Sequence, residues 1–389
     1  MIAAEKVAAL FAFDGQVRDI RPFGCGHIND TYCVYCERED GQPVRYILQR
    51  INHHVFKNVS QLMENVFNVT EYLRRAVIAE GGDPQRECLL IICTKKGAMD
   101  YIDGEGYCWR AFNFIENAVS YESAGSGERF YYSGCAFGKF QRLLADYPSE
   151  TLHETIPHFH DTPVRYEAFE KAVAEDRSGR AHEVQEEIAF IRARRPMMSV
   201  LTDMLARGEL PLRVTHNDTK LNNVMLDDTE GKPVCVVDLD TVMPGLSLYD
   251  FGDSIRFGAN PAAEDERDLS KVYCDLDLFA QYTKGYLEEC GTMLTPNEIR
   301  LLAFSARLLT LECGMRFLTD HLDGDVYFKI HREGHNLDRC RTQLKLVEDM
   351  EGKAEQMEEI VRRYAGALCR ADGSTAGGRG PQRPLLYIE

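Results

Sequence analysis

A polar cluster that runs directly into a short hairpin constrains this chain more than any other feature. The cluster is THNDTKLNNVML (215–226), and after the turn DDTEGK the chain returns as VCVVDLD (234–240). The apolar runs on either side of a turn that contains Asp and Gly predict a β-hairpin. Because a hairpin brings its two ends together, we expect Asn223 and Asp238 to lie side by side.

The side chains around this hairpin suit a hard metal ion and a proton transfer. The amide oxygen of Asn223 and the carboxylate of Asp238 are hard oxygen ligands, which favour Mg²⁺ over zinc. Asp218 precedes the hairpin, where it could accept a proton from a hydroxyl group held near the metal. The alternative is that these residues only cap helices and turns. The ordered run H-x-D-x-K-x-x-N, hairpin and V-V-D argues against that alternative.

The first part of the chain predicts a small α+β domain with an antiparallel sheet. An Asp-Gly pair is a hairpin signal before the return strand at 44–50. Apolar residues at steps of three and four predict a helix over 58–80, and two apolar runs predict strands at 88–94 and 107–115. We place the end of this domain at residue 116.

The remainder of the chain predicts a larger helical domain. Its helix-like segments are 130–146, 164–175, 182–206, 264–290, 295–322 and 336–368. The hairpin is the one clear β segment among them. This second domain spans 117–370, and residues 371–389, with little periodicity, predict a loose tail.

Charge and hydropathy exclude several classes of partner. Basic residues number 45 and acidic residues 62, for a net charge of −17, which argues against nucleic acid and anionic membrane surfaces. No apolar run reaches the roughly 18 residues of a membrane helix. We expect a soluble, cytoplasmic protein, whose 13 scattered cysteines are reduced thiols in its core.

The polar cluster resembles the catalytic loop of protein kinases, H-R-D-L-x-x-x-N, followed by a metal-binding Asp. His216 and Asp218 match H-x-D, Asn223 matches the Asn, and Asp238 stands at the D of D-F-G. The V-D-L-D and S-L-Y-D-F-G-D runs are similar to small-molecule kinases of the aminoglycoside and choline phosphotransferase type. The resemblance implies an α+β, protein-kinase-like fold with two lobes: a small antiparallel-sheet N-lobe and a larger helical C-lobe. It also implies that a buried Asp, best matched by Asp250, braces the catalytic loop.

In such a fold the N-lobe binds ATP. Gly24 and Gly26 of G-C-G-H precede the first predicted strand, and a Gly-rich turn there would let backbone N–H groups approach the phosphates. Ile115 and Glu116 end the last predicted strand, where the hinge of a kinase presents backbone groups to adenine.

The phosphate-binding lysine of protein kinases is missing from the return strand. Gln49 or Arg50 occupies its place. On the 58–80 helix, Glu64 or Glu71 is the candidate acidic partner, and both are equally compatible with a solvated helix face.

The chain is further similar to bacterial N-acetylhexosamine 1-kinases over residues 15–350. The matching runs are RPFGCGHIND, RYILQRIN, TIPHFHDTP, VTHNDTKLNNVMLD, VVDLDTVMPGLSLYDFGDSIRFG and LTLECGMRFLTDHLDGDVYF. This resemblance implies that ATP and Mg²⁺ serve to phosphorylate the anomeric hydroxyl of N-acetylglucosamine and N-acetylgalactosamine. It carries the sugar-binding residues onto Asp218, Arg316, Tyr327 and His27. From the residues alone, a charge within the apolar helix around Arg316 needs a partner, and a salt bridge to Glu312 is the alternative.

The implied mechanism gives each residue of the cluster a role. Asp218 takes the proton of the sugar hydroxyl, Asn223 and Asp238 hold Mg²⁺ on the phosphates, and Lys220 offsets charge on the transferred group. The alternatives are a kinase for another sugar, an amino alcohol or homoserine, and a kinase-like binding module without catalysis. A hydrolase with His158 and His160 as zinc ligands is disfavoured, because their spacing is poor for zinc.

Overall fold

The computed structural model describes residues 2–24, 29–53, 56–125 and 127–371. It confirms the two-lobed, protein-kinase-like fold. The N-lobe is an antiparallel five-stranded sheet in the order β1-β2-β3-β5-β4. Its strands are β1 (Gln16–Pro22), β2 (Asp30–Glu37), β3 (Pro43–Arg50), β4 (Tyr101–Ile102) and β5 (Cys108–Asn113). The division at residue 116 stays a prediction, and residues 372–389 of the predicted tail lie outside the described residues.

Two details of the predicted N-lobe sheet are wrong. The edge strand β1 was not predicted, whereas 88–94, which was predicted as a strand, forms none and touches the sheet through isolated bridges such as Ile91 to Phe112. The Asn113 side chain accepts the Leu90 N–H at 2.7 Å, which takes that donor out of a regular ladder. The strand that pairs with β5 on this side is therefore β4.

The helix of the N-lobe forms as its periodicity predicts. Helix α1 covers Ile2–Ala8 and α2 covers Val59–Ala79, with the Asn58 side chain accepting from the N–H of Gln61 at the N-terminus. All five apolar positions of the predicted stripe are buried, namely Leu62, Val66, Val69, Leu73 and Val77. The same face buries Asn65, whose amide donates to the carbonyls of His153 and Val242 and so ties α2 to the C-lobe.

The C-lobe is helical around one small hairpin. Its helices, after the short N-lobe helix α3 (Pro84–Glu87), are α4 (Gly127–Leu143), α5 (Thr162–Glu175), α6 (Gln185–Ala193), α7 (Arg195–Met198), α8 (Val200–Ala206), α9 (Ser247–Gly258), α10 (Leu276–Cys290), α11 (Pro296–Asp323), α12 (His335–Gly352) and α13 (Ala354–Ala371). Its strands are β6 (Ala118–Val119), β7 (Arg213–Thr215), β8 (Val224–Asp227), β9 (Pro233–Val236) and β10 (Met243–Gly245).

Several predicted helices are shorter than expected. The 182–206 segment breaks into α6, α7 and α8 around Pro196, which cannot donate a helical hydrogen bond. The 336–368 segment breaks at Lys353, and the 264–290 segment becomes helical only from Leu276. No helix among the described residues is both long and apolar enough to cross a membrane.

Close packing in the C-lobe positions the loop between β7 and β8. Gly134 of α4 lies so close to α10 that an added Cβ would meet the Tyr282 carbonyl oxygen at 2.4 Å. Phe130, Phe251 and Tyr282 pack in the core, with ring centroids 4.8 Å apart for Phe130 and Tyr282 and 5.6 Å for Phe251 and Tyr282. Helices α4 and α9, which both contact His216 in the loop between β7 and β8, are thereby held together.

Candidate active site

The hairpin brings its two polar ends together as the sequence predicts. Val224 pairs with Val236, and the Val237 N–H donates to the Asn223 carbonyl at 2.9 Å, so the next residue, Asp238, lies beside Asn223. The loop before the hairpin, residues 216–220, follows β7 and precedes a 3₁₀ turn at Leu221–Asn223.

Asp250, at the start of α9, braces this loop from beneath. Its carboxylate accepts the backbone N–H of His216 at 2.9 Å, that of Asn217 at 2.8 Å and the amide of Gln141 at 2.7 Å. The side chain is fully buried, and burial raises the pKa of Asp250 despite these donors. Asp253, one turn later, similarly accepts the N–H of Thr219 at 3.0 Å.

His216 closes the loop against the hairpin and is itself fully buried. Its Nδ1 accepts the N–H of Asp218 at 3.3 Å, which leaves Nε2 to donate to the Val237 carbonyl at 2.9 Å. Both ring nitrogens are thus used for structure. The imidazole orients the backbone of the predicted base.

Asp218 lies between Lys220 and Asn223. The Lys220 ammonium is 3.1 Å from Asp218 Oδ1, and the Asn223 amide nitrogen is 3.3 Å from Oδ2 and 2.8 Å from the Asp218 carbonyl. The Asp218 carboxylate is the main cause of the raised pKa of Lys220, which is therefore a permanent cation. The Asp218 side chain remains 29% exposed, so a substrate hydroxyl can reach it.

Asp238 adopts the left-handed backbone conformation, with φ 61°, at the end of the hairpin. Its side chain is exposed to solvent, although many protein atoms lie around it. Desolvation by the surrounding protein atoms, and then the negative charges of Asp240 and Asp218, raise the pKa of Asp238 above its usual range. This crowding of carboxylates attracts a cation.

The donor set fits Mg²⁺. The Asn223 amide nitrogen is occupied by Asp218, which leaves its amide oxygen to face a cation beside the Asp238 carboxylate. Within the described ranges, no cluster of three His, Cys, Asp or Glu side chains forms a complete metal cage. Mg²⁺ does not need one, because it commonly takes one or two protein carboxylates together with phosphate and water.

The predicted nucleotide residues of the N-lobe are only partly placed. Gly24 ends the described part of the loop after β1 in a positive-φ conformation, with open space around its Cα, whereas Gly26 and His27 lie outside the described residues. Glu116 pairs with Arg45, and its carbonyl accepts from Arg86 at 2.6 Å. The buried Ile115 is therefore the better hinge candidate.

The acidic partner expected on α2 is absent from the positions proposed. Glu64 pairs with His153 at 2.8 Å, and Glu71 pairs with Arg74 one helical turn away. These are contacts of a solvated face. Sequence reasoning instead missed Arg110 of β5, which forms a buried ion pair with Asp240; its signal was a charge within the apolar run YCWRAFNFI.

Arg316 and Tyr327 share an aromatic wall. The Arg316 guanidinium lies 5.1 Å from the ring of Phe159 and 5.6 Å from that of Phe328, and Tyr327 meets Phe328 edge to face at 4.8 Å. Arg165, which the sequence did not reveal, donates two hydrogen bonds to the Phe159 carbonyl at 3.1 Å. Burial and the nearby Arg316 lower the pKa of Arg165, so two guanidinium groups stand on this side of the C-lobe.

The alternative partner of Arg316, the Glu312 carboxylate, is bound by other side chains. His160 Nδ1 lies 2.7 Å from one Glu312 oxygen, and the Thr162 hydroxyl donates to the other at 2.6 Å. The second nitrogen of His160 reaches the Asn217 carbonyl at 3.5 Å. His160 therefore links the aromatic wall to the catalytic loop and is no zinc ligand.

A cavity of about 370 Å³ adjoins the loop between β7 and β8 on another side. Glu122, Arg256 and Gln343 are among its lining residues. Arg256 pairs with Asp253 at 2.8 Å, and the Asn222 amide reaches Glu122 at 3.5 Å, so the cavity shares its walls with the loop. Its size falls within the range of small-molecule sites.

Solved structures with this fold include several kinases. An amicoumacin kinase in complex with AMP-PNP and Ca²⁺ matches 88% of this chain and 92% of its own, with a TM-score of 0.56 and 14% identity. A spectinomycin phosphotransferase with ADP and spectinomycin covers 91% and 98%, at TM-score 0.54 and 13% identity. The choline kinase of Cryptosporidium parvum covers 90% and 93%, also at 0.54 and 13%. At sequence identities this low, these structural matches establish the shared fold alone.

The family comparison is more specific. Residues 19–283, from the first strand of the sheet into α10, match the model of the phosphotransferase enzyme family APH. This span includes the braced loop, the hairpin and the predicted metal ligands. The chain therefore belongs to the phosphotransferase enzyme family.

Proposed function

We propose that this phosphotransferase transfers the γ-phosphoryl group of ATP to the anomeric hydroxyl of N-acetylglucosamine or N-acetylgalactosamine, giving the sugar 1-phosphate. The observation that carries the proposal is the position of Asp218, held between Lys220 and Asn223 beside Asp238. Family membership supports phosphoryl transfer to an alcohol, and the sequence resemblance supplies the sugar.

Phosphoryl transfer needs positioning and charge neutralisation more than covalent chemistry. Asp250, through two backbone N–H groups, fixes the loop on which Asp218 stands. Asp218 orients the acceptor hydroxyl and takes its proton, and Lys220 offsets negative charge on the moving group. Asn223 and Asp238 would hold Mg²⁺, which neutralises charge on the β- and γ-phosphates when bound.

The acceptor would bind against the wall that carries Arg316 and Tyr327. Arg316 offers a planar fork of donors to ring hydroxyls or to the acetamide oxygen, and Tyr327, 63% exposed, is accessible to a ligand. Contacts remote from the reacting oxygen orient it toward Asp218. Two guanidinium groups, of Arg165 and Arg316, disfavour a cationic acceptor such as an amino alcohol, because like charges repel.

A panel of free sugars and amino alcohols, assayed for ATP- and Mg²⁺-dependent consumption, tests the proposal. We expect an N-acetylhexosamine to be consumed, its 1-O-methyl glycoside to be inert, and phosphorus NMR to show an anomeric phosphate. A 6-phosphate, turnover of the methyl glycoside or preference for an amino alcohol would refute the 1-kinase assignment. Absence of turnover with every acceptor would favour a non-catalytic binding module.

Replacement of Arg316 tests the acceptor side separately. Arg316→Ala should raise the sugar KM about tenfold or more and leave the ATP KM nearly unchanged, because it removes a charged hydrogen-bond donor from the acceptor alone. Arg300→Ala, an exposed arginine on the same helix, is the matched control and should change neither constant. Equal effects of the two substitutions would exclude Arg316 from the sugar site.

A further inference from the structure

Three side chains form a polar row across the N-lobe sheet. Gln49 of β3 pairs in register with Thr31 of β2 on one side and with Arg110 of β5 on the other. The Gln49 amide donates to the Thr31 hydroxyl at 3.1 Å, and its oxygen accepts from Arg110 Nε at 3.1 Å and Nη2 at 2.9 Å. The sheet therefore fixes the direction of the Arg110 guanidinium.

Arg110 is directed at the C-lobe. Its Nη2 lies 2.5 Å from Asp240 Oδ1, and the two side chains are 2% and 5% exposed. The other Asp240 oxygen accepts from the Asn29 amide at 2.7 Å. One Asp240 oxygen thus forms an ion pair with the N-lobe and the other accepts a hydrogen bond from it. Asp240 is therefore a link between the lobes, and Asp238 is the carboxylate left to face a cation.

The link acts on the turn that carries Asp238. Asp238 immediately precedes the 3₁₀ turn Leu239–Thr241, which contains Asp240. The same turn is fastened to the catalytic loop, because the Thr241 hydroxyl donates to the His216 carbonyl at 2.6 Å and the Asn217 amide donates to the Thr241 carbonyl at 2.9 Å. Because Asp238 precedes this turn directly, fixing the position of Asp240 also fixes the position of Asp238 relative to the loop.

In protein kinases an ion pair between a lysine of the third strand and a glutamate of the C-helix must be in place for activity. Here Gln49 stands on the third strand, and α2 offers the Met63 sulfur, 4.0 Å from Arg110 Nη1, where a carboxylate would be expected. In this protein the buried charge pair instead joins Arg110 of the N-lobe to Asp240 of the C-lobe.

We propose that Arg110 is a positioning residue of the nucleotide and metal site, which acts through Asp240 to set the orientation of Asp238. The proposal rests on the proposed function only in requiring that the protein bind a nucleotide. It makes no demand on the identity of the acceptor.

A double-mutant cycle of Arg110→Met and Asp240→Asn tests the coupling. Calorimetric binding of ADP and AMP-PNP is measured with and without Mg²⁺ for the full chain and its variants. Replacement of a residue that orients a metal ligand commonly lowers metal affinity or activity 10–100-fold, and we expect Arg110→Met to weaken Mg²⁺-dependent nucleotide binding by that factor. The double variant should bind no more weakly than the worse single variant, because both changes break one contact.

Two further variants separate positioning from folding. Gln49→Leu keeps the Arg110–Asp240 charges but removes the group that aims the guanidinium. Arg110→Lys keeps the charge but lacks the two guanidinium N–H groups that bond to Gln49. Both should weaken nucleotide binding by a smaller factor. Arg194→Met, which breaks a distant ion pair with Glu351, should leave nucleotide affinity unchanged. If Arg110→Met fails to fold, Gln49→Leu and Arg110→Lys test the proposal in its place.

Each possible outcome either supports the positioning role of Arg110 or overturns it. Unchanged affinity in the Arg110 and Gln49 variants, or an equal loss without Mg²⁺, overturns the positioning role. Additive losses in the double variant would instead indicate that Arg110 contacts phosphate directly, and would also overturn it. Nucleotide binding with the expected coupling but no sugar turnover would refute the proposed acceptor and leave this inference standing.

Discussion

Removal of the negative charge from Asp250 probes the brace beneath the catalytic loop. One of its oxygens accepts from Asn217, and the other accepts from both His216 and Gln141. In Asp250→Asn one oxygen becomes an NH₂ group. Whichever way the amide is turned, at least one N–H of the protein then faces a donor in a site with no exposure to solvent.

The cost follows from the better of the two orientations. In that orientation the remaining oxygen still accepts from His216 and Gln141, and the bond to the Asn217 N–H is lost. One buried donor is then unsatisfied, which costs about 1–3 kcal/mol of stability. Since burial already disfavours the charged form of Asp250, a neutral amide recovers part of this cost, and we expect about 2 kcal/mol. For a chain of 389 residues that lowers Tm by roughly 2–3 °C.

Thermal and urea unfolding of the purified variant give the free energy, and steady-state kinetics give the catalytic effect. Asp250→Ala leaves three donors without an acceptor and should cost more, about 3–6 kcal/mol. Asp268→Asn, an exposed carboxylate that caps a surface turn, is the matched control and should stay within about 0.5 kcal/mol. An Asp250→Asn protein as stable and as active as the parent would refute the brace.

Three further substitutions have distinct readouts. Asp218→Asn should retain ATP binding and lose turnover by roughly 10²–10⁴-fold, the usual contribution of a general base; near-normal kcat would remove Asp218 from the mechanism. Asp238→Ala should abolish Mg²⁺-dependent activity, since Asn223 alone offers one neutral oxygen; parental activity at tenfold higher Mg²⁺ would show that the assignment is wrong. Glu298, buried at the start of α11, has a lowered pKa because its contacts with Arg213 and neighbouring donors outweigh the effect of burial. The resulting stability is fully present above the unfolded pKa of about 4.3 and is lost as pH falls through the lower folded pKa. Glu298→Gln should therefore be less stable at pH 7 and show a shallower acid limb in urea unfolding between about pH 5 and 2; an unchanged limb would contradict this.

The parts of the site that depend on nearby residues could be read from the sequence. The order of Asp218, Asn223 and Asp238 around a short hairpin predicts their juxtaposition, because a tight turn leaves the chain few other ways to return. The buried stripe of α2 follows equally from the helical period. Both are local properties, set by spacing within a few turns or strands.

Contacts between distant segments were decided only by tertiary structure. A charge within the apolar β5 signals that Arg110 needs a partner, but nothing in its neighbourhood indicates Asp240 of the other lobe. The same holds for Arg316, for which local spacing favours Glu312, while folding gives Glu312 to His160 and places Arg316 against aromatic rings. The cost of burying a charge shows that a partner is required, whereas the choice of partner depends on which elements the whole fold packs together.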